Sequence, residues 1–517
     1  MLRAATLLLT CALLALTTAA CGKSGAGDGG DPASLVPAGA PVYVEATVRP
    51  EGGQRDDALA AAGKLLGTRD PAARLRQLVD EAGAEKGISW ERDFAPWLGE
   101  KAGLWASGLE RDAPSYAAVI ASTDEDAATA ALARFAKAEG GTGSKRSYKG
   151  IDYAVDDEGL ARGLVDDFVV LGTEGAFKRT VDTRDGDKLG DSDRYEEAVD
   201  ELSGDRLGHY FFDVAPVASA ASKKDPAAAR QFEQFRGFFA FDEMGPIVGA
   251  FTADGEGMAL DTVLTKLPDG PLRRLAALWS GGATELLPAL PGDVWGAFAT
   301  PRIGEALQSL VSSFGGAIGG AAITAQVQQA TGLNLQEDVF SWMGDLGVFV
   351  RGGTEATLDG GLVIQSTDDA KAATAFGKLV GLIGRQSGTA ARPVRLAGAE
   401  SAFLITAPDA EKPIVFARGN GRVVAAYGEQ AASDALVGKA KLGDSQDYDR
   451  AKALLADGME PSLLLSLPSV LALVEASGQT DADYTKAKPY LDALGVVTAG
   501  GKVDGDRVQS RMAVGFK

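Results

Sequence analysis

The chain has 517 residues, 45% hydrophobic and 24% charged, which suits two or three packed domains and not a disordered polymer. Asp plus Glu number 71 against 51 Lys plus Arg, and the formal net charge of -20 argues against a nucleic-acid-binding face. One histidine and two cysteines leave almost no material for His-based triads, His/Cys metal sites or a disulfide framework.

The chain opens with an export signal over residues 1–20. Arg3 gives a positive start, Leu7, Leu8, Leu9, Leu13, Leu14 and Leu16 form an apolar centre, and Thr17 to Ala20 are small. The stretch is too short for a permanent membrane span. Thr18-Ala19-Ala20-Cys21 resembles the lipobox of bacterial lipoproteins. That resemblance implies a diacylglycerol on the Cys21 thiol and loss of the peptide before it. Residues 21–34 then read as the lipidated cysteine and a Gly-rich polar tether holding the body clear of the headgroups. Cys11 leaves with the signal, so the mature chain is expected to be held by its cores without a disulfide. The expected location is the cell membrane, lipid-anchored on the extracytoplasmic face.

Beyond the tether the chain is one unit written twice, about 250 residues apart. Gly87-Ile88-Ser89-Trp90-Glu91-Arg92-Asp93-Phe94-Ala95-Pro96-Trp97-Leu98-Gly99-Glu100 aligns with the run from Gly332 to Asp345, Trp97 falling on Trp342. Val119-Ile120-Ala121-Ser122-Thr123-Asp124 aligns with the run from Val363 to Asp368, and Leu189-Gly190-Asp191-Ser192 with the run from Leu442 to Ser445. Tyr195 and Tyr448 follow in step, and Asp254-Gly255 and Asp504-Gly505 come near the two ends. Four blocks in one order predict two tandem homologous domains, over 35–267 and 286–517, joined by a partly helical connector over 268–285.

Within the first copy, Pro41 to Val48 reads as a strand and Asp56 to Leu66 and Pro71 to Ala82 as helices. Ala117 to Ser122 is a strand, after which Thr123 or Asp124 caps a helix running to Ala138. Ile151–Val155, Phe168–Gly172 and Leu207–Val214 are strands, and Glu174–Val181 and Asp193–Leu202 helices. Each copy closes on an Asp-Gly hairpin. Strands arriving in consecutive pairs predict an α+β fold, each domain a mainly antiparallel sheet with helices packed on it.

None of the repeated blocks demands chemistry. The Trp97 and Trp342 pieces read as a core Trp followed by a Gly at a helix stop. The Leu-Gly-Asp-Ser pieces read as helix N-termini, with Asp193 and Glu196 fitting a capping box. Asp182, Asp185, Asp187, Asp191 and Asp193 form a solvated acidic run without the Ca²⁺ loop pattern. His209, in a strand-like run with no histidine in the matching region, reads as structural. No nucleophile elbow, phosphate loop or dinucleotide fingerprint stands in its proper context, so neither catalytic nor cofactor-binding residues are assigned. A carboxylate-dependent hydrolase is the rival class, and with 71 acidic residues a suitable pair carries little weight. Two apolar segments stand out. Phe232, Phe235 and Phe239 share one helical face and form the candidate ligand pocket, together with the uncharged stretch Ala306–Gln336.

The lipobox, the Leu35–Ala46 start, Pro96-Trp97-Leu98-Gly99-Glu100, Tyr148-Lys149-Gly150-Ile151-Asp152-Tyr153 and Leu171-Gly172-Thr173-Glu174 together resemble an uncharacterised bacterial family of exported lipoproteins, domain of unknown function family 3352. The resemblance implies location and architecture and brings no active-site residues. The function expected is that of a non-enzymatic envelope protein that binds a ligand or partner, in its sharper form a carrier of a lipid-like molecule.

Overall fold

The computed structural model describes residues 30–108, 115–138, 140–141, 143–218, 239–279, 285–314, 324–326, 328–329, 332–386, 391–406, 410–478 and 480–517. The signal, Cys21, Phe232 and Phe235 lie outside these residues. The chain divides into two compact units. Unit one takes the described residues up to 218 together with Met244–Lys266, and unit two takes 239–243 together with Leu267–Lys517.

Unit one is built on ten strands: β1 (Val42–Thr47), β2 (Leu98–Gly108), β3 (Ser115–Ser122), β4 (Ser144–Tyr148), β5 (Ile151–Val155), β6 (Leu160–Val165), β7 (Phe168–Thr173), β8 (Gly208–Phe212), β9 (Ile247–Ala253) and β10 (Gly257–Leu264). Their spatial order is β4-β5-β6-β7-β3-β2-β1-β8-β9-β10, antiparallel throughout. Alternation along β1 sends Tyr43 and Glu45 to one face and Val44 and Ala46 to the other. The Tyr43 face carries the main core: Trp105, Val119, Val170 and Phe211 pack there with Phe177 of helix α4 (Glu174–Thr183) and Tyr195 of α5 (Asp193–Val199). The opposite face is closed by Trp90, Trp97, Ile120 and Val169 with Ala128 and Ala131 of α3 (Glu125–Ala138), which follows α1 (Gly52–Leu66) and α2 (Pro71–Gly83). Small alanines let α3 lie close to the sheet. Asp124 caps it, accepting from the Ala127 N–H at 2.9 Å.

Unit two repeats this order strand for strand. Its strands are β11 (Val294–Thr300), β12 (Met343–Arg351), β13 (Asp359–Ser366), β14 (Arg392–Pro393), β15 (Ser401–Ile405), β16 (Ile414–Gly419), β17 (Arg422–Tyr427), β18 (Pro461–Ser466), β19 (Leu494–Asp504) and β20 (Arg507–Phe516). They run β14-β15-β16-β17-β13-β12-β11-β18-β19-β20, again antiparallel. The helices are α6 (Pro271–Trp279), α7 (Ile303–Phe314), α8 (Asp369–Gln386), α9 (Glu429–Val437), α10 (Gln446–Ala453), α11 (Leu467–Ala476) and α12 (Ala482–Leu491). Phe349, Val363, Val424 and Leu464 form its main core with Ala431, Ala432 and Ala435 of α9 and Tyr448 of α10. The fold is thus α+β on antiparallel sheets.

Two readings of the sequence need correction. Gly99 and Gly344 do not stop helices; both lie in strands, just after the strand start. A Cβ on Gly99 would stand 2.9 Å from that of Ala121, so glycine is required by the close approach of β3. β2 and β6 are not signalled in the sequence because Gly, Lys and Glu interrupt β2 and a bulge shifts its register between Leu98 and Ala102, while Ala161, Arg162 and Gly163 break the β-branched pattern of β6.

Candidate functional site

The repeated blocks are clamps. In unit one the buried Asp93 carboxylate accepts from the Ser89 N–H at 2.8 Å and from Arg134 at 2.6 Å, while the Asp93 carbonyl accepts from the Trp97 indole at 2.7 Å. Burial opposes ionisation of Asp93, yet the bonds from Arg92, Ser89 and Arg134 hold it down to about 2. Unit two copies the arrangement. Asp338 accepts from the Asn334 N–H at 2.9 Å and from Lys378 at 2.7 Å, and its carbonyl accepts from Trp342 at 3.0 Å. The Leu-Gly-Asp-Ser blocks seat the segment that leads into each sheet. Leu189 N–H donates to the Val36 carbonyl at 2.8 Å, and Leu442 N–H to that of Leu290 at 2.8 Å. Ser445 caps α10 by accepting from Tyr448 N–H, whereas Ser192 makes no such bond with α5; the Asp193–Glu196 capping box does not form.

One polar cluster belongs to unit one and has no copy among the described residues of unit two. Register places Glu45 on β1 opposite His209 on β8 and Gly103 on β2. Glu45 is buried; it accepts from the Tyr43 hydroxyl at 2.8 Å and pairs with Lys101 at 3.2 Å. His209 Nε2 lies 2.7 Å from the Tyr195 hydroxyl, and its Nδ1 lies 4.0 Å from Glu45. Burial, with the charges of Arg206 and Lys101 behind it, holds the imidazole down to about 3, so it is neutral at pH 7. Burial pushes the Tyr195 hydroxyl well up, and Glu45 and Asp31 add to that. Burial opposes the Lys101 charge, but Glu45 and Asp31 outweigh it. Unit two puts Ala297 and Ala299 where Tyr43 and Glu45 stand, since Ala297 pairs with Phe349 as Tyr43 pairs with Trp105. Only Tyr448, the match of Tyr195, persists.

Unit two differs on its other face. Directly opposed residues of antiparallel strands share a face. Met512, Ala499, Leu463, Phe298, Val348 and Leu362 therefore form one apolar row across β20, β19, β18, β11, β12 and β13. Phe298 is 42% exposed and Met512 55%. Helix α8 covers one end of this face through Ala372 and Ala375, which pack with Trp342, Ile364 and Val423. Helix α11 borders β11 and β19 and carries Leu467, Val470, Leu471, Leu473 and Val474, none of them buried.

Residues 1–399 match the family described as Protein of unknown function (DUF3352). The chain belongs to that family. No curated protein matches it. Among solved structures, crystal forms IV and I of TP0453 are similar at 12% identity, covering 48% and 49% of this chain and 84% and 87% of that one, each with a TM-score of 0.26. A likeness at that level carries no argument about activity.

Of the predicted pocket in this DUF3352 protein, Phe239 is described. It stacks on Phe241 with centroids 5.1 Å apart and packs against Leu272 and Leu275 of α6 and Ala306 and Leu310 of α7. The two apolar segments singled out in the sequence thus meet at one small cluster. Asp182 of the acidic run is engaged by Lys149 and by the Tyr148 hydroxyl at 3.0 Å. Among the described residues no group of three or more His, Cys, Asp or Glu side chains is placed to hold a metal ion. None of their helices is long and apolar enough to cross a membrane. Phe298, Glu45 and Lys101 drew no attention in the sequence; only strand register brings each to its place.

Proposed function

We propose that this is a lipid-anchored cell-envelope protein that acts by binding, with no catalytic step, and that the open apolar face of unit two receives a hydrophobic ligand. The anchor rests on the signal and Cys21; the ligand rests on the row through Phe298. Burying a side chain of that size is worth roughly 1.5–3 kcal/mol, and contiguous exposed apolar surface marks a contact site. The row lies mid-sheet, where β11 is flanked by β12 and β18. Unit one has Tyr210 in the corresponding row, with its hydroxyl 2.8 Å from Thr262.

A naturally fluorescent polyene fatty acid titrated into the Cys21→Ala protein tests this reading. Phe298→Glu is expected to weaken binding about tenfold or more, because a carboxylate must be desolvated on an apolar floor. The exposed control Phe251→Glu in unit one should leave binding unchanged. Equal affinities for wild type and Phe298→Glu would remove the site from this face.

A further inference from the structure

Neighbouring antiparallel strands run in opposite directions, so the helices that follow them start at opposite ends. In unit two β11 ends at Thr300 and β18 at Ser466, with Gly296 set against Leu465. Helix α7 follows β11 and helix α11 follows β18, so the two rise from opposite ends of the row through Phe298. α7 packs beside β12, α6 lies against α7 and beside β19, and α11 borders β11 and β19.

The row runs between these helices across six strands, from Met512 to Leu362. Strands lie about 4.8 Å apart, so the row spans about 24 Å. None of its six side chains carries a charge or a hydroxyl. On these strands the exposed large apolar side chains, Phe298 and Met512, both fall in this row, and the rows beside it, through Val350 and Leu346 on β12, hold none. The open strip is one side chain wide. Its two ends differ. It opens at Met512, which is 55% exposed. Past Leu362 it meets α8, whose Ala372 and Ala375 are buried against Ile364, and whose buried Phe376 has its ring centroid 6.1 Å from that of Phe403 on β15.

We propose that this face holds a single linear acyl chain, laid across the strands with its methyl end against α8 and its polar head beyond Met512. The proposal rests on the reading of the face as a ligand site and fixes the class of ligand and its direction. A bilayer core of about 30 Å is two chains deep, so a strip of about 24 Å takes one long chain at full extension. A second chain would lie over the covered rows or in water. A charged end pushed toward α8 would lose its water and find no partner on the floor of the row. At the Met512 end the head keeps its hydration.

Displacement of the fluorescent polyene fatty acid from the Cys21→Ala protein tests this. Saturated acids should compete about threefold more tightly per added methylene, until the chain fills the strip and the gain stops. Leu362→Trp fills the closed end and should bring that stop about four carbons earlier, one strand spacing, with shorter acids unaffected. Two comparisons need no variant. Hexadecanedioate, with a carboxylate at both ends, should compete about 100-fold more weakly than hexadecanoate. A one-chain hexadecanoyl phosphatidylcholine should displace the probe, and its two-chain counterpart should not. Hexadecanedioate within about threefold of hexadecanoate, or equal displacement by the one-chain and two-chain lipids, would overturn the placement of the chain even where Phe298→Glu still weakens probe binding. No probe binding to the Cys21→Ala protein would remove the ligand site itself, and this placement with it.

Discussion

Replacing Arg351 with Met is expected to destabilise unit two by about 3 kcal/mol, the low end of the cost of breaking a buried ion pair, because among its three acids only Asp359 is nearly buried. The guanidinium is almost fully buried and serves three carboxylates. Its Nε and a terminal nitrogen grip Asp359 at 2.5 and 3.3 Å, and the other terminal nitrogen reaches Asp293 and Asp434, both at 2.9 Å. Burial disfavours its charge, but these bonds outweigh it and raise its pKa further. Without the guanidinium, the nearly buried Asp359 carboxylate loses its forked partner. Arg351→Lys should restore only part of the loss, because an ammonium cannot fork to Asp359 and span two further acids. Urea denaturation with a probe in each unit checks this. The unit-two transition moves and the unit-one transition does not. A loss under about 1 kcal/mol would mean that the three acids find solvent or one another without strain.

Acid should unfold unit one through His209. The imidazole is neutral and 4% exposed, its pKa held down to about 3 from an unfolded value of 6.5. A folded value below the unfolded one contributes stability that is complete above pH 6.5 and drains away as pH falls toward 3. Each tenfold difference in proton affinity between the folded and unfolded chain is worth about 1.4 kcal/mol. The group therefore places about 5 kcal/mol at stake, of which about 3 kcal/mol should be gone by about pH 4.5. His209→Gln keeps a hydrogen-bonding group toward Tyr195 and cannot titrate. The difference in stability between wild type and His209→Gln should therefore shrink by about 3 kcal/mol from about pH 7.5 to about pH 4.5. Parallel pH profiles would show that His209 gains its proton in place. This loss concerns the whole of unit one.

Much of the architecture was legible because the chain states it twice. Repeated Trp97 and Trp342, each four residues after an Asp whose carbonyl accepts from the indole N–H, marked a shared structural block in both halves. Alternation marked β1, and Asp124 marked the start of α3. What the sequence could not display was register and face. Glu45, Lys101, Tyr195 and His209 come from three strands and a helix, and they meet because β1 pairs with β2 and β8 in one particular register. Val-Trp-Gly-Ala-Phe-Ala-Thr along β11 is apolar at both alternating sets of positions, so its composition assigns no face. That Ala297 and Ala299 face the core while Phe298 faces outward follows from their opposed neighbours. The same holds for Arg351, whose three acids lie at 293, 359 and 434.

The binding reading is tested most directly by native mass spectrometry of the Cys21→Ala protein, expressed in a bacterial envelope and extracted without detergent. The account predicts a stoichiometric added mass that leaves on denaturation and is reduced or lost in Phe298→Glu. A clean apo mass for the wild-type chain, unchanged after incubation with fatty acid or phospholipid, would contradict it.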